Sequence, residues 1–193
     1  EGKPDRALHE QLIKPLHGLK AWAESNQLTD LATLCSQFAS QSQSGIARLL
    51  PGPTGERNSY SLLPRERVLN LADERSDLLA QLAATLAVGS QAIWLESQRA
   101  LYSELQKEVQ KHIQLVTDWN SIDVELDAIL HHGDSDQLRE VSQQAAQRKG
   151  AIVSVHGLNK GETDIPLERL LIEHALSVNT AAAGGNASLM TIG

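Results

Sequence analysis

Between Arg67 and Val155 short apolar runs alternate with helix-length segments, and this limits the fold more than any other feature of the chain. Arg67-Val68-Leu69-Asn70-Leu71-Ala72 ends in Asp73-Glu74 and reads as a buried strand. Ser76 to Val88 reads as an amphipathic helix closed by Gly89, and Gln91 to Leu95 as the next strand. A helix from about Arg99 to Val116 is expected next, with Leu101, Leu105, Val109, Ile113 and Val116 on one face. Val124 to Leu130 gives a third strand. Asp134-Ser135-Asp136 then caps a helix to Lys149, Gly150 stops it, and Ala151 to Val155 is a fourth strand. Strands separated by helices are βαβ units, whose right-handed crossovers build a parallel sheet covered on both faces. The predicted fold class is therefore α/β, a Rossmann-like, mostly parallel sheet with helices on both faces.

The flanks read differently. Leu8, Leu12, Leu16, Leu19 and Ala23 make one helical stripe, in which Pro15 predicts a kink or a restart. Thr29 is a candidate N-cap for a second helix with Leu31, Leu34, Cys35 and Phe38 on one face and Gly45 as its stop. Cys35 on that stripe is expected to be a buried, inert thiol. Leu50 to Glu56, with two prolines and two glycines, is a turn leading into an extended piece from Arg57 to Leu63. Pro166 to about Ser177 is expected to form a last helix, and Gly184-Gly185-Asn186 to turn a terminal hairpin. The organisation expected is a helical connector over 1–45, an α/β domain over 46–176 and a flap over 177–193.

Composition narrows the function classes. A net charge of −7 argues against nucleic acid or an anionic membrane as a partner of this piece. A single cysteine excludes an internal disulfide framework. The longest apolar stretch, Leu78 to Val88, is far short of the ~20 residues that span a bilayer. The polar opening Glu1-Gly2-Lys3-Pro4-Asp5-Arg6 is no signal peptide, and with no initiator methionine Glu1 is expected to be a cut site in a longer chain.

Ligands on such sheets bind at the carboxyl ends of the strands. Here those ends carry Asp73-Glu74, Glu96-Ser97, His131-His132-Gly133 and His156-Gly157, with no G-x-G-x-x-G turn among them. Two carboxylates at positions 73 and 74 oppose a pyrophosphate where bare amides are needed. His131 and His132, adjacent on a strand, point to opposite sides and cannot readily share a metal ion. Ser154 and His156 fall on one strand face but read as a polar strand end. Glu104, Lys107, Glu108 and Lys111 read as a solvated helix face, and Arg65, Arg67 and Arg75 as scattered cations. Gly184-Gly185 lacks the Gly-Lys-Ser/Thr of a P-loop. A receiver-domain alternative would use Asp73-Glu74 and Lys160, but the middle strand ends in His131-His132 instead of the required aspartate.

Two stretches carry a family resemblance. Leu50-Pro51-Gly52-Pro53-Thr54-Gly55-Glu56-Arg57-Asn58 with Leu63-Pro64-Arg65-Glu66, and the terminal seventeen residues Ser177 to Gly193, resemble the long forms of the proline utilization A family. Those are bacterial bifunctional proline and pyrroline-5-carboxylate (glutamate semialdehyde) dehydrogenases, and the likeness is to their C-terminal region. Pro51 to His156 is similar, more weakly, to the cofactor domain of aldehyde dehydrogenases. Pro53-Thr54-Gly55-Glu56 matches their P-A-T-G-E. Where they carry P-W-N and a ribose-gripping lysine, this chain has Ala72-Asp73-Glu74 and Leu95-Glu96-Ser97.

The resemblance implies a decayed copy of a cofactor domain, with no catalytic, metal or cofactor residue of its own. It implies that FAD and NAD belong to other parts of the parent enzyme. The implied partner is the aldehyde dehydrogenase domain of the same polypeptide. The implied lid over the tunnel for the intermediate is formed by Val178, Asn179, Thr180, Ala181, Ala182, Ala183, Gly184, Gly185, Asn186, Ser188 and Met190. A cytoplasmic bacterial parent is implied, with peripheral membrane association and an N-terminal DNA-binding domain as features of some members. A vestigial NAD-binding module is the alternative.

Overall fold

The computed structural model describes residues 3–180 of the 193. Three helices open the chain: α1 (Ala7–Leu12), α2 (Lys14–Ser25) and α3 (Thr29–Gln41). The break between α1 and α2 is the restart expected at Pro15, which sits in the first turn of α2, where its missing N–H costs nothing. Thr29 is not the cap of α3. Leu28 holds that position, and Thr29 is the first helical residue. Gly45, at φ +72°, lies beyond the helix end and turns the chain into β1 (Ala47–Leu50).

A five-stranded parallel sheet forms the centre, built from β3 (Arg67–Leu71), β4 (Gln91–Leu95), β5 (Ile113–Val116), β6 (Ala128–His132) and β7 (Ser154–Leu158). Its spatial order is β5-β4-β3-β6-β7. Counted along the chain, that is 3-2-1-4-5, the dinucleotide-fold order, whereas a receiver would show 2-1-3-4-5. Strand order thus opposes the receiver alternative, and the fold class is the one the alternation predicted.

Alternation along the strands sorts the core. Val68, Ala92, Ala128 and Leu130 pack on one side with α4 (Arg75–Val88), while Leu69, Ile93 and Ile129 pack on the other with α7 (Ser135–Ala146). The segment from Asp77 to Val88 is buried on every side, so α4 is not the amphipathic helix expected. The reason is a further layer: α2 and α3 cover its outer face through Leu16, Leu19, Ala23, Leu34 and Phe38. Leu78, Leu82 and Leu86, each wholly buried, contribute roughly 1.5–3 kcal/mol apiece.

Several expectations are corrected. The helix expected from Arg99 to Val116 is instead α5 (Arg99–Glu104), α6 (Lys107–Gln110) and the strand β5. Trp22 Nε1 donates to the carbonyl of Glu104 at 2.9 Å, and the Gln110 amide donates to the carbonyls of Tyr102 and Leu105. These side chains satisfy the carbonyls that a continuing helix would have used. Glu104 consequently pairs with Arg75, leaving only Lys111–Glu108 of the expected charged face. The third and fourth strands start later than expected, at Ala128 and Ser154.

The helix expected over Pro166 to Ser177 is absent. Leu167–Leu170 is a single 3₁₀ turn, and Leu171–Asn179 is a strand, β8. It runs antiparallel to β2 (Glu56–Pro64) from Leu171↔Pro64 to Asn179↔Glu56, and β1 lies on the other side of β2. Backbone bonds from Arg65 N to Leu170 O and from Thr180 N to Gly55 O bracket this three-stranded sheet. Period-two spacing of Ile172, Leu176 and Val178 wins over the helical spacing because β2 supplies a nine-residue ladder.

Gly89 ends α4 at φ +85°, and a Cβ there would come within 2.8 Å of Leu12. Gly89→Ala is expected to lower stability by about 2 kcal/mol or more through strain and clash. Gly150→Ala, at φ +109° but with nothing within 4 Å, is expected to cost about 1 kcal/mol. Urea denaturation of both variants checks the difference.

Candidate functional site

Two regions hold the residues that the sequence singles out: the outer sheet and the crevice at the carboxyl ends of the central strands. Residues paired across antiparallel strands share a face. The pairs Leu49↔Ser59↔Leu176, Arg57↔Val178 and Leu63↔Ile172 therefore set Leu49, Ile172, Leu176 and Val178 on one face of the outer sheet. These four side chains are 54%, 51%, 49% and 44% exposed; Leu49, Leu176 and Val178 cluster at one end of the face, and His174, paired with Ser61, separates them from Ile172. Arg57, Leu49, Leu176, Val178 and Thr180 line a shallow cavity of ≈ 430 Å³ on this face together with Lys3 and Asp5. On the opposite face burial and the neighbouring Glu173 carboxylate raise the Tyr60 phenol above 10.0.

Of the expected lid residues, Val178 and Asn179 end β8 and Thr180 follows it. Ala181, Ala182, Ala183, Gly184, Gly185, Asn186, Ser188 and Met190, with the expected hairpin turn, lie outside the described residues.

The crevice opens between β3 and β6, where the strand order reverses. Its ≈ 320 Å³ are lined by Asp73, Leu95, Ser97, Trp119, His131 and Glu140, among others. The turn Ala72-Asp73-Glu74 has no glycine, Glu74 occupies the N-cap of α4, and Asp77 lies in its first turn. Asp77 is itself buried and accepts the Gly161 N–H at 3.0 and 3.2 Å. A pyrophosphate placed at this helix N-terminus would meet carboxylates where it needs free amides, so these residues do not fit a dinucleotide.

Beneath the crevice runs a buried polar network. Trp94 Nε1 donates to Asn70 Oδ1 at 3.0 Å, and Asn70 Nδ2 donates to Thr85 Oγ1 at 3.1 Å. Gln81 Nε2 reaches the Leu71 carbonyl at 2.8 Å and His132 Nδ1 at 2.7 Å, and His132 Nε2 meets the Glu162 carbonyl at 2.7 Å. A Gln81 donor at Nδ1 fixes His132 as the Nε2–H tautomer. His131 lies on the other sheet face, against α7, where a Cβ at Gly133 would touch its ring. The two histidines therefore part as strand alternation required, and no metal-binding cluster exists among the described residues. Asn70, Gln81 and Thr85 escaped the sequence reading, because an isolated polar residue in an apolar run looks like an interruption.

Other singled-out residues are accounted for locally. Cys35 is buried, and that burial pushes its thiol up to about 12. Its contribution to stability is present below the ordinary value of 9.0 and is lost as pH rises toward 12. His156 lies beside Arg169, at 3.5 Å, and Ser154 makes no catalytic pair with it. Arg75 forms a bidentate ion pair with Glu104, Arg67 pairs with Glu66 and Glu125, and Arg65 Nε donates to the Arg169 carbonyl. Lys160 is exposed in the turn after β7. No helix among the described residues is long and apolar enough to cross a membrane.

Comparison with known proteins yields a consistent set. No family model matches the chain. The chain is 53% identical over 191 residues to the bifunctional protein PutA of Escherichia coli K12, covering 98% of this chain and 14% of that protein. It thus spans about a seventh of the length of this curated relative. Among solved structures it is similar to a proline utilization A variant from Bradyrhizobium japonicum, with a TM-score of 0.59 and 16% identity over 80% of this chain and 20% of the other. An NADP-dependent glyceraldehyde-3-phosphate dehydrogenase from Bacillus halodurans, complexed with NADP, shares the fold at a TM-score of 0.53 and 13% identity, over 76% and 39% of the two chains.

Burial holds the His131, His156 and His112 rings below the ordinary 6.5. The unfolded chain then takes up protons first as pH falls below 6.5, so stability is full above that value and is lost under acid. The urea midpoint is expected to fall from pH 7.5 to 5.5, and His131→Gln to flatten part of that slope. Asn70→Ala, which strands Trp94 Nε1 and leaves Thr85 Oγ1 only its bond to the Gln81 carbonyl, is expected to cost about 1–3 kcal/mol at neutral pH.

Proposed function

Since this chain corresponds along nearly its whole length to one region of the proline utilization A proteins, we propose that it serves there as a non-catalytic wall and lid. The α/β core holds the outer sheet, whose apolar face docks on the aldehyde dehydrogenase domain of the same polypeptide. The segment after β8 then closes the cavity through which pyrroline-5-carboxylate and glutamate semialdehyde pass. On this reading the FAD and NAD of the two oxidations are held elsewhere in the cytoplasmic parent, and this region takes part by shape alone.

The exposed set Leu49, Ile172, Leu176 and Val178 carries the reading. A face this apolar on a thin three-stranded sheet gains from a partner that removes it from water. The carboxylates at the head of α4 support the absence of a cofactor role. The dinucleotide strand order favours a second reading, a vestigial NAD-binding module, and predicts saturable quenching of Trp94 by NAD.

Two measurements separate these. In the full-length parent, the double substitution Ile172→Asp and Leu176→Asp is expected to produce a lag in NADH formation from proline. Intermediate leaking into bulk solvent should become trappable by o-aminobenzaldehyde. A parent with those substitutions and no lag would sink the docking reading. For the 193-residue chain, millimolar NAD is expected to leave Trp94 emission unchanged.

A further inference from the structure

We propose that the crevice at the carboxyl ends of β3 and β6 binds a small organic cation bearing N–H donors, an alkylammonium or a guanidinium. The inference rests on the crevice alone and does not depend on the docking of the outer sheet. A sheet of this order presents one pre-formed concave site, at the reversal between its first and fourth strands. Here that site has kept its concavity and reversed its charge.

Asp73 from the β3–α4 turn and Glu140 from α7 stand at opposite sides of the opening, and among the described residues no lysine or arginine lines it. An anion would meet repulsion from both sides, whereas an ammonium gains from both. The floor adds an independent observation. His131 is only 7% exposed, lines the crevice, and its buried Nδ1 has no hydrogen-bond partner. A buried polar atom left unpaired costs about 1–3 kcal/mol, so in the Nε2–H tautomer this nitrogen is an unmet acceptor beside the crevice. Its pKa is lowered by burial, which keeps the imidazole neutral with a lone pair to offer. The neighbouring His132 cannot serve, because both of its nitrogens are engaged by Gln81 and the Glu162 carbonyl.

Trp119 completes the wall with the indole that cations prefer among aromatic rings. At ≈ 320 Å³ the crevice lies at the small end of ligand sites, which suits a cation of a few heavy atoms. The same chemistry is supplied by a free amine or by a lysine side chain presented on a peptide.

The test titrates n-propylammonium and Nα-acetyl-lysine methylamide against the 193-residue chain while following the His131 ring nitrogens by NMR, with n-propanol as the uncharged control. Saturable shifts in the millimolar range or tighter are expected from at least one cation. Asp73→Asn and Glu140→Gln, both exposed positions that keep the fold, should each weaken binding about tenfold. Binding of propylammonium alone identifies a free amine, and equal or tighter binding of the capped lysine identifies a peptide side chain. No saturable shift from either cation up to about 100 mM overturns the proposal. So does equal saturation by n-propanol, or affinity unchanged in the Asp73→Asn, Glu140→Gln double variant.

Discussion

Burial of α4 on all sides is the constraint from which the rest of the structure follows. Leu78, Leu79, Leu82, Leu86 and Val88, with alanines between them, leave this helix no face that water can wet. One side packs against Val68, Ala92, Ala128 and Leu130 of the sheet, and the other must be covered by α2 and α3. The amino-terminal helices are thus a layer of the same core. Gly89, whose missing Cβ lets Leu12 approach, closes that layer over the end of α4.

The same burial brings polar groups into the interior, and these determine what the crevice can do. Asn70, Thr85, Gln81 and His132 satisfy one another beneath the strand ends, apart from Gln81 Oε1, which is left unpaired. Such a network in a low-dielectric setting is rigid and specifies one arrangement of β3, β6 and α4. Asp77 is drawn into it to hold the Gly161 amide, which uses the head of α4 for structure and sets a carboxylate where a phosphate would need free amides. The poor fit of this helix head to a dinucleotide is therefore a property of the packing as well as of the missing glycines.

The outer sheet depends on the core only through its ends. Its nine-residue β2–β8 ladder is held by backbone bonds, with Ile172, Leu176 and Val178 facing outward. A two-layer unit would bury such a face; here nothing among the described residues does. That asymmetry, a dry core joined to an apolar arm, is the physical basis for reading the region as something that leans on a larger body.

The sequence by itself determined the parallel α/β class, because strand-length apolar runs separated by Gly-stopped helices have few other ways to be buried. It also determined the restart at Pro15, the helix cap at Asp134, and the parting of His131 from His132, since all of these are short-range consequences of backbone geometry. Only the tertiary structure decided where α5 ends, because the groups that satisfy its last carbonyls come from Trp22 and Gln110 rather than from its own turn. It alone turned Leu171–Asn179 from a helix-compatible pattern into a strand, since the ladder partner β2 lies more than a hundred residues upstream. Local periodicity fixes what an element prefers; partners distant in sequence fix which preference is realised.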